Sequence, residues 1–232
     1  MRSRSYYINI SVIYQDSEID SYYILPAFFG SPNIKTMPSE KYLAVTEIID
    51  WQNPQILELA RQLQTPEVKT TVKACFEWVR DNIRHSYDYQ MNPVTCVASE
   101  VLKYKTGYCF AKSHLLAALL RANSIPAGFC YQRLSVFDNG APYSLHGFNG
   151  VYLAKYGWYR LDARGNKLGI NAQFTPPQEQ LAFEINFPEE IDCKQIFSEP
   201  LPKVVSRLQT HNTWDELLHN LPDMEKEELL TI

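Results

Sequence analysis

Hydrophobic positions change their period partway along the chain. Over residues 53–83 they recur every three or four places, which gathers apolar side chains on one face of a helix. Asn53-Pro54 gives an N-cap followed by proline at the first helical position, and Ile56, Leu57, Ala60 and Leu63 then share a face. Thr65-Pro66-Glu67 repeats the start signal, and Val68, Val72, Cys75, Phe76, Val79 and Ile83 form a second core-facing stripe. A shorter helical stretch runs from Thr95 to Leu102. Phe110–Ala122 is apolar on most sides, which predicts a central, buried helix, with Asn123 placed to close it in the left-handed conformation. Strand-like runs then take over at Phe129–Val136, Leu145–Leu153 and Trp158–Asp162, separated by turn signals at Asp138-Asn139-Gly140 and Tyr156-Gly157. Helices followed by an antiparallel run predict an α+β fold.

The flanks are less regular. Tyr6–Tyr14 and Tyr42–Asp50 have the pattern of strands. From Thr175 onward prolines accumulate at 176, 177, 188, 200 and 202, which predicts an extended wrap over the core. Two late helices are expected near Val204–Leu208 and Trp214–Leu218, the second opened by the capping-box pattern Thr213-Trp-Asp-Glu216. No internal repeat is visible. The economical organisation is one structural domain: an N-terminal extension over 1–64, a core over 65–175, and a proline-rich wrap with a helical tail over 176–232.

Composition narrows the function classes. The 232 residues are 45% apolar and 21% charged, enough for one sizeable core. Twenty-two basic and 26 acidic residues give a net charge of −4, without the basic surplus that nucleic-acid binding by phosphate neutralisation calls for. No apolar run approaches the roughly 18–20 residues of a membrane span. Asn9, Ser11, Gln15 and Asp16 interrupt what would be the apolar part of a secretory signal, so the expected location is the cytoplasm, with no nucleic-acid or membrane partner. The five cysteines are dispersed, with no CxxC pair and no Cys/His cluster at zinc spacing. Reduced thiols, no structural metal and no cofactor are therefore expected.

One thiol stands apart. In Lys105-Thr-Gly-Tyr-Cys109-Phe-Ala-Lys-Ser-His, Gly107 permits a tight turn and Cys109 falls at the start of the buried helix. Open amides at a helix N-terminus favour an anion placed there, and the Cys109 backbone N–H can serve an oxyanion. The bland alternative is a small buried hydrophobe at a helix start. His146 lies in the strand region, in Ser144-Leu-His-Gly-Phe148; a core histidine is the alternative. Asp162 ends the strand Trp158–Asp162, where it can hold an imidazole tautomer or simply end a strand. His114 follows Cys109 on the same helix, five residues and about 140° round at roughly 100° per residue, so it cannot serve that thiol. His85 can lie near a cleft, while His211 and His219 sit in the tail. His146 and Asp162 share a sheet face only if the hairpin between them has an odd loop or a bulge. A three-residue loop pairing Leu153 with Gly157 sets Asp162 opposite Phe148, diagonal to His146.

These segments together resemble the core of the transglutaminase-like superfamily: Gly-Tyr-Cys109 opening a helix, Arg121-Ala-Asn-Ser-Ile125-Pro126-Ala127-Gly closing it, then the His strand and the Gly-Trp…Leu-Asp strand in order. The resemblance covers roughly Thr65–Gly165, and the segment from Phe174 to Pro222 looks like stand-alone bacterial members. It departs at Ser124, where the family has glycine, and at Gly147-Phe148, where many members have Ala-Trp. The resemblance implies a papain-like or transglutaminase-like core, with a buried Cys-bearing helix packed on an antiparallel sheet carrying His and Asp. It also implies Cys109 as nucleophile, His146 as acid/base and Asp162 as orienting carboxylate, and a second oxyanion donor from Tyr87–Thr95, with Gln90 and Thr95 as candidates. The implied function is cysteine-dependent acyl transfer on peptide-like amides of a peptide, a protein or a small amide, hydrolysis favoured over transamidation. A catalytically silent binding or scaffold module is the alternative. Thr106–Ser113 mimics a phosphate-binding loop but lacks its glycines. No clustered carboxylate loop suggests calcium. Arg160 and Arg164 are read as salt-bridge partners before substrate-carboxylate binders, and Asp223–Glu228 as a solvated acidic terminus.

Overall fold

The computed structural model describes residues 38–232. The strand expected at Tyr6–Tyr14 lies outside the described residues. Helix α1 (Pro54–Leu63) starts where its cap predicts, with Asn53 Oδ1 accepting the Gln55 N–H at 2.9 Å and Ile56 and Ala60 buried. Helix α2 (Val68–Asn82) buries Val72, Cys75, Phe76 and Val79 as the period predicts, and Ile83 closes it. Val68 departs from the stripe: at the first turn it projects past the core and is largely exposed. A two-residue strand β1 (Arg84–His85), a single turn α3 (Ser86–Tyr89), α4 (Ala98–Tyr104) and β2 (Thr106–Gly107) lead into α5 (Cys109–Ala122). Strands β1 and β2 pair in parallel.

Every residue of α5 from Cys109 to Arg121 is buried, as its all-round apolar character predicts. One face packs on the sheet, and α1, α2 and α4 pack against the rest. The charge at its end is accommodated rather than exposed. Arg121 donates to the carbonyls of Ala44, Ala127 and Ser198, tying the segment before α1, the first long strand and the wrap to one guanidinium. Burial lowers its pKa to about 10.

The main sheet has the order β5-β4-β3-β8, from β3 (Ala127–Ser135), β4 (Tyr143–Leu153), β5 (Gly157–Leu161) and β8 (Ile191–Asp192), all antiparallel. Strands β6 (Gln173–Thr175) and β7 (Gln178–Gln180) form a separate hairpin. The wrap crosses β3 at Gly128, where a Cβ would stand 2.6 Å from the Phe197 carbonyl oxygen, so the close approach requires glycine. Helices α6 (Pro202–Thr210), α7 (Trp214–Leu218) and α8 (Lys226–Thr231) follow. The Glu216 carboxylate accepts the Asn212 and Thr213 N–H groups, which sets the start of α7. The architecture is α+β, a Cys-bearing helix against an antiparallel sheet. Among the described residues no helix is long and apolar enough to cross a membrane.

Several local expectations are corrected. Tyr42–Asp50 is no strand: Glu40–Tyr42 is a 3-10 turn, and the rest folds back on itself through Thr46, whose hydroxyl accepts the Ile49 N–H. Its Ile48 carbonyl accepts the Ala98 N–H at the start of α4 instead of a bond from a strand partner. Helix α4 begins at Ala98 rather than Thr95, because the Glu100 carboxylate reaches back to the Cys96 and Val97 N–H groups. After α5 the left-handed residue is Ser124 (φ 58°), not Asn123 (φ −92°), whose side-chain amide instead donates to Leu119 and Ala60. A positive φ at Ser124 accounts for glycine being the residue met there in the resembling pattern. The acidic end is not wholly solvated either. Asp223 pairs with Arg133 at 2.8 Å, and Met224 and Leu229 are buried, the latter on α8.

Candidate active site

The hairpin β4–β5 pairs Leu153 with Gly157 across a three-residue loop and Asn149 with Leu161 at its other end. That is the register which brings residues 146 and 162 to one face. His146 Nε2 lies 2.7 Å from Asp162 Oδ2. Asp162 is fully buried; its Oδ1 also accepts the Arg164 N–H at 3.0 Å, and its Oδ2 the Ala182 N–H at 3.1 Å. Burial by itself pushes this carboxyl up, but His146 and the two amides more than reverse that and hold it below the usual carboxylate range.

Cys109 is the first residue of α5, and Tyr108 before it supplies no side-chain cap, so the first-turn amides are not taken up by one. The sulfur accepts the Gly147 N–H at 3.5 Å, next to His146 on β4. With Nε2 engaged by Asp162, Nδ1 is the imidazole nitrogen left for Cys109. Burial, the largest influence, disfavours the His146 imidazolium; the Asp162 carboxylate and the Cys109 sulfur outweigh it and raise the pKa to about 10. Two rings fix the imidazole plane: Phe148 stacks at 5.9 Å and Phe183 meets it edge-on at 4.9 Å. The structure thus brings Cys109 and His146 to one cleft, with Asp162 hydrogen-bonded to the imidazole.

Cys109 and His146 line a cleft of about 880 Å³ whose walls include Tyr87, Tyr108, Phe137, Leu168 and Phe183, with Asp162 buried behind the imidazole. Leu218 and Leu221 of the tail form part of the wall, and the Tyr108 hydroxyl donates to the Trp214 carbonyl at 2.5 Å, so the tail flanks the cleft that Cys109 reaches. Of the other tyrosines, Tyr131 is core, its hydroxyl accepting the Leu201 N–H, and Tyr89 and Tyr104 are exposed outside the cleft.

The two candidate side-chain donors are elsewhere. Gln90 is exposed just past α3, outside the cleft lining. Thr95 is buried with its hydroxyl donated to the Thr106 carbonyl, which leaves it no proton for a substrate. The two arginines are salt-bridge partners: Arg160 binds Glu179 and Asp192, and Arg164 binds Asp88, which Lys167 also joins at 2.6 Å. His114 is buried, its Nδ1 2.7 Å from the Cys96 carbonyl. Residues 182–183, which close over the His146–Asp162 pair, were not anticipated, because nothing local marks a proline-flanked segment as a lid on a distant strand. Among the described residues no three His, Cys, Asp or Glu side chains are grouped to hold a metal ion.

Gly147 has a specific reason to be glycine. A Cβ there would stand 2.6 Å from Phe110 Cδ1, the ring next to the thiol. Gly147→Ala is expected to cost about 1–3 kcal/mol through overpacking, read as a lowered Tm, and to slow Cys109 alkylation by displacing the start of α5. An unchanged melt and unchanged alkylation would show that the ring yields freely.

Comparison with known proteins assigns residues 57–163 to the transglutaminase-like superfamily core. No curated protein matches the chain. Among solved structures, one named "Putative Cysteine Protease from Cytophaga hutchinsonii" is 20% identical over 58% of this chain and 45% of its own, with a TM-score of 0.45. The periplasmic domain of TgpA from Pseudomonas aeruginosa, in a form bound to ethylmercury, is 20% identical over 48% of this chain and 44% of its own, with a TM-score of 0.37. The chain spans less than half the length of each.

Proposed function

Because residues 57–163 form a transglutaminase-like superfamily domain, we propose that this chain is a cysteine-dependent acyl-transfer enzyme acting on peptide-like amide bonds, with Cys109 as nucleophile, His146 as acid/base and Asp162 as its orienting carboxylate. The observation that carries the proposal is that Cys109 and His146 line one open cleft, with Cys109 Sγ accepting the N–H of Gly147, next to His146 on β4, and the buried Asp162 carboxylate hydrogen-bonded to His146 Nε2. An amide is a poor electrophile, so its opening needs a strong nucleophile, a donor to the carbonyl oxygen and a proton for the departing amine. In this reading the Cys109 thiolate, paired with imidazolium His146, attacks the carbonyl carbon. The S–C bond forms, the C–N bond breaks, and the His146 Nδ1 proton goes to the amine nitrogen. Water then attacks the thioester carbonyl and gives one proton to His146, the S–C bond breaks, and the acid leaves with the Cys109 thiolate and imidazolium His146 restored. A primary amine in place of water gives transamidation. Hydrolysis is favoured, since water needs no binding site of its own.

Site-resolved iodoacetamide labelling across pH 5 to 9 tests the pair. Cys109 is expected to label ahead of the other four thiols, of which Cys75 and Cys96 are pushed up to about 12 by burial and Cys130 still higher. His146→Ala is expected to remove the advantage at the acid end of the range. Labelling of Cys109 no faster than the rest, or unaffected by the substitution, overturns the ion pair.

A further inference from the structure

His85 is a polar side chain of the cleft to which the chemistry above gives no task. It sits on β1, where the register with β2 sets it beside Gly107, two residues before Cys109. Its ring meets the Tyr108 ring edge-on with centroids 5.4 Å apart, and it lines the cleft with Cys109 and His146. It is 7% exposed, yet neither ring nitrogen makes a hydrogen bond among the described residues, and Nδ1 is sealed from solvent. Asp88 Oδ2 stands 3.9 Å from Nδ1, beyond hydrogen-bond reach, and that carboxylate is already shared by Arg164 and Lys167. An imidazole built into a cleft wall and left unpaired carries a desolvation cost that a ligand can offset.

What the cleft lacks matches what His85 has. Attack on a carbonyl moves negative charge onto its oxygen, and donors must already point at that position. The first-turn amides of α5 supply the backbone side of such a site, while Gln90 and Thr95 are out of reach. We propose that His85 is the side-chain donor of the oxyanion site, presenting its Nε2–H to the carbonyl oxygen of the acyl group carried by Cys109. The assignment rests on the acyl-transfer reading. Nε2 is assigned as the donor because Nδ1 is the nitrogen sealed from solvent. The ring is also kept neutral: burial first, then Arg164, Lys112 and His146, disfavour the imidazolium against the opposing pull of Asp88. A neutral imidazole gives one N–H without setting a second cation beside imidazolium His146.

The test separates stabilisation of an oxyanion from any effect on the thiol. Acylation is read as the burst of p-nitrophenolate from an N-acylglycine p-nitrophenyl ester. Alkylation by iodoacetamide, a displacement that forms no oxyanion, is read in parallel. His85→Leu is expected to slow the burst about 100-fold with alkylation of Cys109 unchanged, and His85→Gln, which keeps an N–H, to retain most of the burst. Should leucine unfold the chain, His85→Phe keeps the flat contact with Tyr108 and carries the same expectation. A normal burst in the leucine or phenylalanine variant, or a parallel loss of alkylation, overturns the assignment. A wild-type burst that does not depend on Cys109 overturns the acyl-transfer reading itself, and this role with it.

Discussion

On the proposed mechanism Cys109→Ala is expected to remove acyl transfer, by at least about 10⁴-fold in kcat/KM, because the thiol is the group assigned to form the covalent intermediate. The fold should persist. The side chain is small, the sulfur accepts one long N–H bond from Gly147, and alanine suits the first turn of a helix at least as well. The melting temperature is therefore expected to move little, by the equivalent of about 1 kcal/mol or less. The check is turnover of an amide or ester substrate beside a thermal melt of the same preparation. Turnover retained in a folded variant ends the thiol mechanism, and lost turnover with a collapsed melt attributes the loss to folding.

Asp162→Asn should be nearly as damaging to turnover, on the order of 10³–10⁴-fold, for an electrostatic reason. The carboxylate accepts three hydrogen bonds, from His146 Nε2 and the amides of Arg164 and Ala182. Asparagine has one oxygen where aspartate has two. If that oxygen keeps His146 and Ala182, its NH₂ faces the Arg164 N–H, and one buried donor goes unpaired at a cost of about 1–3 kcal/mol. The charge is the larger loss. Burial alone drives the His146 imidazolium toward the neutral form, and the Asp162 carboxylate is the leading influence that reverses it. With that charge gone the His146 pKa is expected to fall, which weakens the imidazolium that the proposed mechanism pairs with Cys109. The alkylation profile of Cys109 should then move toward higher pH. The sign also fixes how the wild type responds to pH. Because the folded His146 pKa is raised to about 10, its contribution to stability is present below its ordinary value near 6.5 and is lost as pH rises through 10. A variant whose alkylation profile stays in place would show that Asp162 serves packing alone.

Much of this arrangement was legible before any coordinates. The stripe from Val72 to Val79, the cap at Asn53-Pro54 and the apolar surface of Phe110–Ala122 place the helices, because helix period and capping depend on neighbours within a turn or two. Parity along the chain was enough to require an odd loop or a bulge between His146 and Asp162, and the three-residue loop that pairs Leu153 with Gly157 meets it. Where local signals failed, a distant partner had taken over. The Tyr42–Asp50 alternation lost to hydrogen bonds within its own loop and to α4, the helix expected from Thr95 starts later because Glu100 holds the Cys96 and Val97 N–H groups, and the Thr95 hydroxyl is taken by Thr106.

The sequence by itself determined the α+β order of elements, the thiol at the head of a buried helix and the parity that lets a histidine and an aspartate share a face. Tertiary structure alone decided what surrounds them. It set Ala182 and Phe183 over the imidazole–carboxylate pair, engaged Arg164 and Lys167 with Asp88, and made Leu218 and Leu221 a wall of the cleft. It also set His85 in the wall of the same cleft, with its Nδ1 unpaired among the described residues. The division has a physical basis. Periodicity and caps are contacts within a few residues and are written into the local pattern. Contacts across 20 to 90 residues, such as Asp162 with Ala182 or Arg133 with Asp223, depend on which surfaces the folded core leaves facing each other.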